Sequence, residues 1–281
     1  MAAPFDLIRK ALDRANQAPS EMPVRSFARP PLRQNPPKID ETRGAQYDYV
    51  STRKIEIDQA VLKNNRIVAL FRDDTRSAAF KVLRSQILKK LRDHDWKSVA
   101  VTSTKPEEGK SVVSLNLAIS MSMEFNQTVL LVDADLRRPR ISELLGIEAE
   151  KGLGDYLEGN VALREILVNP GMERLVVLPS KGSYPNASEL LSGPRMRHLA
   201  EEIKTRYSDR IVIYDLPPLL GTDDALVCLP YADSVVMVVG DGQSSKDEIL
   251  QAQHHLQDHN LAGVILNKST DSQPRKNYYN A

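Results

Sequence analysis

Six apolar runs recur along the chain without the alternation of a half-exposed strand. They are "SVAVTS" (98–103), "TVLLVD" (128–133), "RLVVLPS" (174–180), "RIVIYD" (210–215), "DSVVMVVG" (233–240) and "LAGVILN" (261–267). A strand that is apolar along its whole length must be covered on both faces. Between the runs lie stretches with helical spacing at 110–124, 194–206 and 245–258. A further helix is expected over 75–92, where Phe80, Leu83, Ile87 and Leu91 form one stripe. Strands and helices alternating in this way predict an α/β domain, with a mostly parallel sheet covered by helices on both faces.

That domain accounts for residues 55–267 of a 281-residue chain, leaving an extension at each end. Phe5, Ile8, Ala11, Leu12 and Ala15 have helical spacing, so a short amphipathic helix is expected over 1–17. Residues 18–54 read as a linker, because Pro19, Pro23, Pro30, Pro31, Pro36 and Pro37 forbid a regular helix or an inner strand. Residues 268–281 are polar and read as a flexible tail containing Tyr278 and Tyr279. The 38 basic and 37 acidic residues leave a net charge of +1, so no nucleic acid partner is expected. The single cysteine, Cys228, excludes a disulfide within the chain and fits a reducing compartment. No apolar run approaches the ~18 residues of a membrane span. The expected location is the cytoplasm.

Three motifs sit where strands meet their following loops. "STKPEEGKS" (103–111) lies between the first apolar run and a helix, the context of a phosphate-binding loop. Gly109, Lys110 and Ser111 match the end of that pattern, but Thr104 stands where the opening glycine is usual. Unpaired amides at a helix start attract an anion. Lys110 is placed to reach terminal phosphates, and the Ser111 hydroxyl to complete a Mg²⁺ shell. "TVLLVDADLRRP" ends its strand with Asp133 and Asp135, two residues apart and therefore on one side. "RIVIYDLPP" ends another with Asp215. Ligands of open α/β sheets bind beyond these carboxyl-terminal ends. Taken singly, the loop reads equally as a strand-to-helix turn and each Asp as a cap. Together with Lys110 they read as a nucleotide site.

The set "STKPEEGKS", "LLVDADLRRP" and "VIYDLPP" resembles the Walker A, Walker A-prime and Walker B motifs of the bacterial tyrosine kinases. These are kinase domains tied to capsule and exopolysaccharide export, within the deviant Walker P-loop ATPases. The S-x-x-P-x-x-G-K-S form, with Ser103 and Pro106, accounts for the missing glycine. The resemblance runs from about residue 75 onward, and is strongest to autokinases whose membrane-spanning chain-length partner is a separate protein. It implies ATP and Mg²⁺ as cofactors. It assigns Thr104, Glu108, Gly109, Lys110, Ser111 and Val112 to the nucleotide-binding loop, and Asn267 to the neighbourhood of the adenine. Ser111 and Asp135 fall to Mg²⁺, and Asp215 to the metal's waters. Lys110, Asp133 and Asp135 carry the chemistry, with Asp133 taking the proton of an incoming tyrosine. The phosphoacceptors are Tyr278 and Tyr279. The implied partners are a chain-length protein at the inner face of the membrane and further copies of the chain.

Three positions depart from that family. Glu107 replaces a preferred glycine and brings a negative charge toward the phosphates. The oligomerisation motif E-x-x-R-x-x-R aligns with Ala78, Lys81 and Arg84, without its acidic member. The tail has two tyrosines rather than a cluster. Two other readings therefore stand beside the autokinase. One is a positioning ATPase of the MinD/ParA sort, with Lys105 as its signature lysine. The other is a non-catalytic nucleotide-binding adaptor of an export complex.

Overall fold

The computed structural model describes residues 52–207 and 209–269. The helix expected at 1–17, nearly all of the linker, and Tyr278 and Tyr279 lie outside them. Eight strands form one sheet: β1 (Arg53–Lys54), β2 (Ser98–Ser103), β3 (Thr128–Asp133), β4 (Val168–Asn169), β5 (Leu175–Leu178), β6 (Arg210–Asp215), β7 (Ser234–Gly240) and β8 (Leu261–Asn267). Their order is β1-β4-β5-β3-β6-β2-β7-β8. All neighbours are parallel except β4 and β5. Each apolar run of the sequence forms one of the parallel strands. Strand β1 uses the last two residues of the expected linker, so the folded domain begins slightly earlier than residue 55.

The helices among the described residues are α1 (Gln59–Asn64), α2 (Ser77–Asp93), α3 (Lys110–Ser122), α4 (Ile141–Leu145), α5 (Leu153–Glu158), α6 (Leu163–Ile166), α7 (Ala187–Ser192), α8 (Pro194–Thr205), α9 (Asp224–Cys228) and α10 (Lys246–His255). The four long ones, α2, α3, α8 and α10, fall within two or three residues of the expected helices. The short ones carry too few turns to show a period.

Alternation along the strands explains the two-sided cover. Val99, Val101, Val129, Leu131, Ile211, Ile213, Val236 and Val238 share one core with Ile87 and Leu91 of α2 and Leu115 and Ile119 of α3. The intervening Ala100, Leu130, Val132, Val212 and Tyr214 are equally buried on the other face. There α8 brings Met196, Leu199 and Ile203 to the interior. Helix α3 is buried at all but one of its positions, and apart from Lys110 and Asn116 its polar residues are serines, small enough to pack inside.

The segment before α2 is fixed to α3 by one side chain. Asn116 is fully buried; its Oδ1 accepts from the amides of Val68 and Ala69, and its Nδ2 donates to the Arg66 carbonyl. On α2, Arg84 is already engaged within the chain. It pairs with Glu124 at 3.0 Å and donates to the Ser120 carbonyl.

Candidate nucleotide site

The carboxyl-terminal ends of β2, β3 and β6 meet at one cavity of about 740 Å³, within the range of ~300–1,000 Å³ that small-molecule sites occupy. The register of the sheet puts Asp133 directly beside Asp215. Lys110, the first residue of α3, reaches between the strand ends. Its Nζ lies 3.0 Å from Asp135 Oδ2, 3.5 Å from Asp215 Oδ2 and 3.2 Å from Ser111 Oγ. The Ser114 hydroxyl, one turn on, donates to Asp215 Oδ1 at 3.0 Å. The five residues read from three separate motifs are thus one cluster.

Their places in it differ. Gly109, Lys110, Ser111, Val112 and Asp135 line the cavity, whereas Asp133 and Asp215 are fully buried behind it. Asp133 accepts from the amides of Arg140 and Ile141 and so fastens the start of α4. Asp135 accepts from the Arg138 amide. Burial, with the Asp215 charge adding to it, pushes the Asp133 carboxyl up to about 8. Burial also raises Asp215, against the pull of Lys110. For Lys110 burial opposes the charge, but Asp215, Asp135 and Asp133 outweigh it and hold the ammonium above the usual lysine range. Two carboxylates thus contact one ammonium, with the Asp133 carboxyl behind them.

The phosphate loop solves its missing glycine without straining Thr104. Thr104 is not among the residues of positive φ; the left-handed turns fall on Glu107 (φ 67°) and Gly109 (φ 91°). The Ser103 hydroxyl donates to the Lys105 carbonyl and closes the turn. Thr104 is buried, off the cavity wall, and its hydroxyl has no partner. Glu107 does line the cavity, with its carbonyl taking the Lys268 ammonium. Glu108 does not: its side chain turns away and is fully buried. Asn267 is also off the wall, its amide nitrogen donating to the Glu108 carbonyl. A Cβ on Gly109 would lie 2.2 Å from that nitrogen, so only glycine fits.

The cluster suits a nucleotide with a divalent cation. The amides of Lys110, Ser111 and Val112 have no acceptor in the helix's own ladder and open on the cavity. Ser111 Oγ and the Asp135 carboxylate are hard oxygen donors, as Mg²⁺ requires. A divalent cation also supplies the positive charge that two carboxylates on one ammonium lack.

The opposite wall was not legible beforehand. Arg137 there makes a two-pronged pair with the buried Asp224, at 2.5 and 3.1 Å. Pro217, Pro218, Leu220 and Thr222 complete it. The "DLPP" run that follows Asp215 was the available signal for this wall; nothing in the sequence linked Arg137 to Asp224, 87 residues away.

A parallel sheet with this loop and these strand-end carboxylates defines a P-loop nucleotide-binding domain, and residues 96–262 match the AAA domain family. The chain is 33% identical over 206 residues to the tyrosine-protein kinase YwqD of Bacillus subtilis, covering 72% of this chain and 86% of that one. It spans only 27% of the longer tyrosine-protein kinase Etk of Escherichia coli. Among solved structures, the Etk kinase domain superposes with a TM-score of 0.66 at 29% identity, covering 76% of this chain and 88% of that one. The chimerical protein CapA2B2 gives 0.68 at 28%, covering 77% and 92%. The chain belongs to the bacterial tyrosine-protein kinase family. No described helix is long and apolar enough to cross a membrane.

Proposed function

We propose that this chain is an ATP-dependent protein tyrosine autokinase that regulates polysaccharide export. The observation that carries the reading is the Lys110, Ser111 and Asp135 cluster on the cavity wall, backed by the buried Asp215, in a member of this family. Lys110 and the α3 amides hold the terminal phosphates. Ser111 and Asp135 hold Mg²⁺, with Asp215 on its waters. Bound MgATP supplies the transferable phosphoryl group. The family resemblance gives Asp133 the proton of the tyrosine hydroxyl; here its carboxyl lies behind the cavity wall, and burial pushes it up to about 8. The acceptors are Tyr278 and Tyr279, reached from a neighbouring copy. The chain works at the cytoplasmic face of the membrane, on a chain-length protein embedded there.

The positioning-ATPase reading rests on Lys105, and in this fold Lys105 is drawn aside to Glu248 at 3.0 Å. The test mixes Lys110→Ala protein of distinguishable mass with wild type, ATP and Mg²⁺. Phosphotyrosine on the tail of the inactive copy is the expected result. Phosphate release without phosphotyrosine returns the positioning reading, and neither product returns the adaptor.

A further inference from the structure

The two adjacent glutamates of the phosphate loop have opposite fates. Glu107 lies exposed on the cavity rim, while Glu108 is fully buried with its side chain behind the loop. The Glu108 carboxylate accepts three hydrogen bonds. Oε2 takes the Lys105 amide at 3.0 Å; Oε1 takes the Gly240 amide at 3.2 Å and the Ser244 hydroxyl at 2.7 Å. All three donors are uncharged. A buried carboxylate without a cation is expensive unless it is fully hydrogen-bonded, and an apolar residue in its place carries no such cost. Its partners come from three places: the loop itself, the end of β7 and the turn into α10.

Other contacts also reach the same loop. Asn267 donates to the Glu108 carbonyl, and the Lys268 ammonium to the Glu107 carbonyl. The Lys105 ammonium rests on Glu248 of α10. The cavity face of the loop, with its free amides and Gly109, must stay open for its ligand. Its back face is therefore where its shape can be fixed, and the buried Glu108 side chain lies there.

We propose that Glu108 is a positioning residue for nucleotide binding. It latches the phosphate loop to the β7–α10 turn, and so holds the amides of residues 109–112 in place before the phosphates arrive. Preorganised donors bind better because no ordering cost falls on the binding step. The proposal rests on the nucleotide reading of the cavity, so its test includes a measurement without nucleotide.

Full-length Glu108→Ala, Glu108→Gln and Ser244→Ala proteins are compared with wild type. Without nucleotide, hydrogen exchange at the Lys105 and Gly240 amides should rise roughly tenfold or more in Glu108→Ala. With ATP, its KM should rise by a similar factor, with kcat within about threefold and little change in Tm. Glu108→Gln keeps a carbonyl acceptor and should fall between Ala and wild type. Ser244→Ala, missing one donor, should move the same way by less. Unchanged exchange in Glu108→Ala and Glu108→Gln overturns the latch. Losses of Tm and kcat in step, with KM constant, overturn the positioning role in favour of plain structural support. Faster exchange in a protein whose wild type binds no ATP leaves the latch standing and defeats the nucleotide reading instead.

Discussion

The two ends of the same sheet treat carboxylates in opposite ways. At the amino-terminal end, Asp233 is only partly buried, and its carboxyl sits below its usual range. Burial pushes it up, but the Lys204 ammonium and the donors of Lys97 and Ser98 outweigh that effect. Its Oδ2 takes both backbone amides and the Ser98 hydroxyl, and Oδ1 takes Lys204. At the carboxyl-terminal end, Asp133 and Asp215 are raised, with one ammonium in contact with two carboxylates. One end is electrostatically complete within the chain and the other is not. A complete cluster holds strands together; an incomplete one is a place where added charge binds.

The largest expected break in that contrast is Lys110→Ala. It removes the ammonium that pairs with Asp135 and Asp215 at the incomplete end. ATP binding should fall by about a hundredfold or more, measured by calorimetry, because this charge faces the phosphates. The fold should survive by circular dichroism, since Asp215 can take up a proton in place of the lost partner. Wild-type affinity in this variant would refute the assignment of the loop.

Asp233→Asn strikes the complete end. It should cost about 1–3 kcal/mol of stability at pH 7, with ATP affinity unchanged. Because the folded pKa lies below the unfolded one, the wild-type advantage is present above about pH 4 and disappears as the pH falls through the folded value. Urea titrations at pH 7 and pH 3 measure both halves. An equal gap at the two pH values removes the electrostatic account.

Asp133 predicts the reverse slope. Its folded pKa of about 8 exceeds the unfolded value, so its contribution is full below about pH 4 and is lost as the pH rises toward 8. Asp133→Asn should flatten that part of the stability profile. Parallel profiles for the two proteins would show that Asp133 does not titrate there.

The smallest effect belongs to the rim. Glu107 is a non-glycine residue at φ 67° and brings a negative charge to the cavity. Glu107→Gly should relieve both, raising stability and ATP affinity by about 1 kcal/mol or less each. Weaker binding would give Glu107 a positive role.

The sequence by itself determined the sheet. Runs such as "TVLLVD" and "RIVIYD" are apolar throughout, and only a strand covered on both faces satisfies that pattern. It also determined the members of the cluster: a phosphate loop and two strand-end Asp motifs carry their meaning in local spacing. The extra β1 and β4 and the short helices were not legible, because two to six residues show no period. What only the tertiary structure decided is which way the loop's side chains face. Glu107 and Glu108 are chemically identical neighbours. One is exposed on the cavity and the other buried, because Gly240 and Ser244, more than 130 residues away, offer donors on one side of the loop only. The same holds for Asn267, drawn to the back of the loop by the Glu108 carbonyl, and for Arg137, held by Asp224. Hydrogen-bond partners distant in sequence set these orientations, and spacing along the chain carries no record of them.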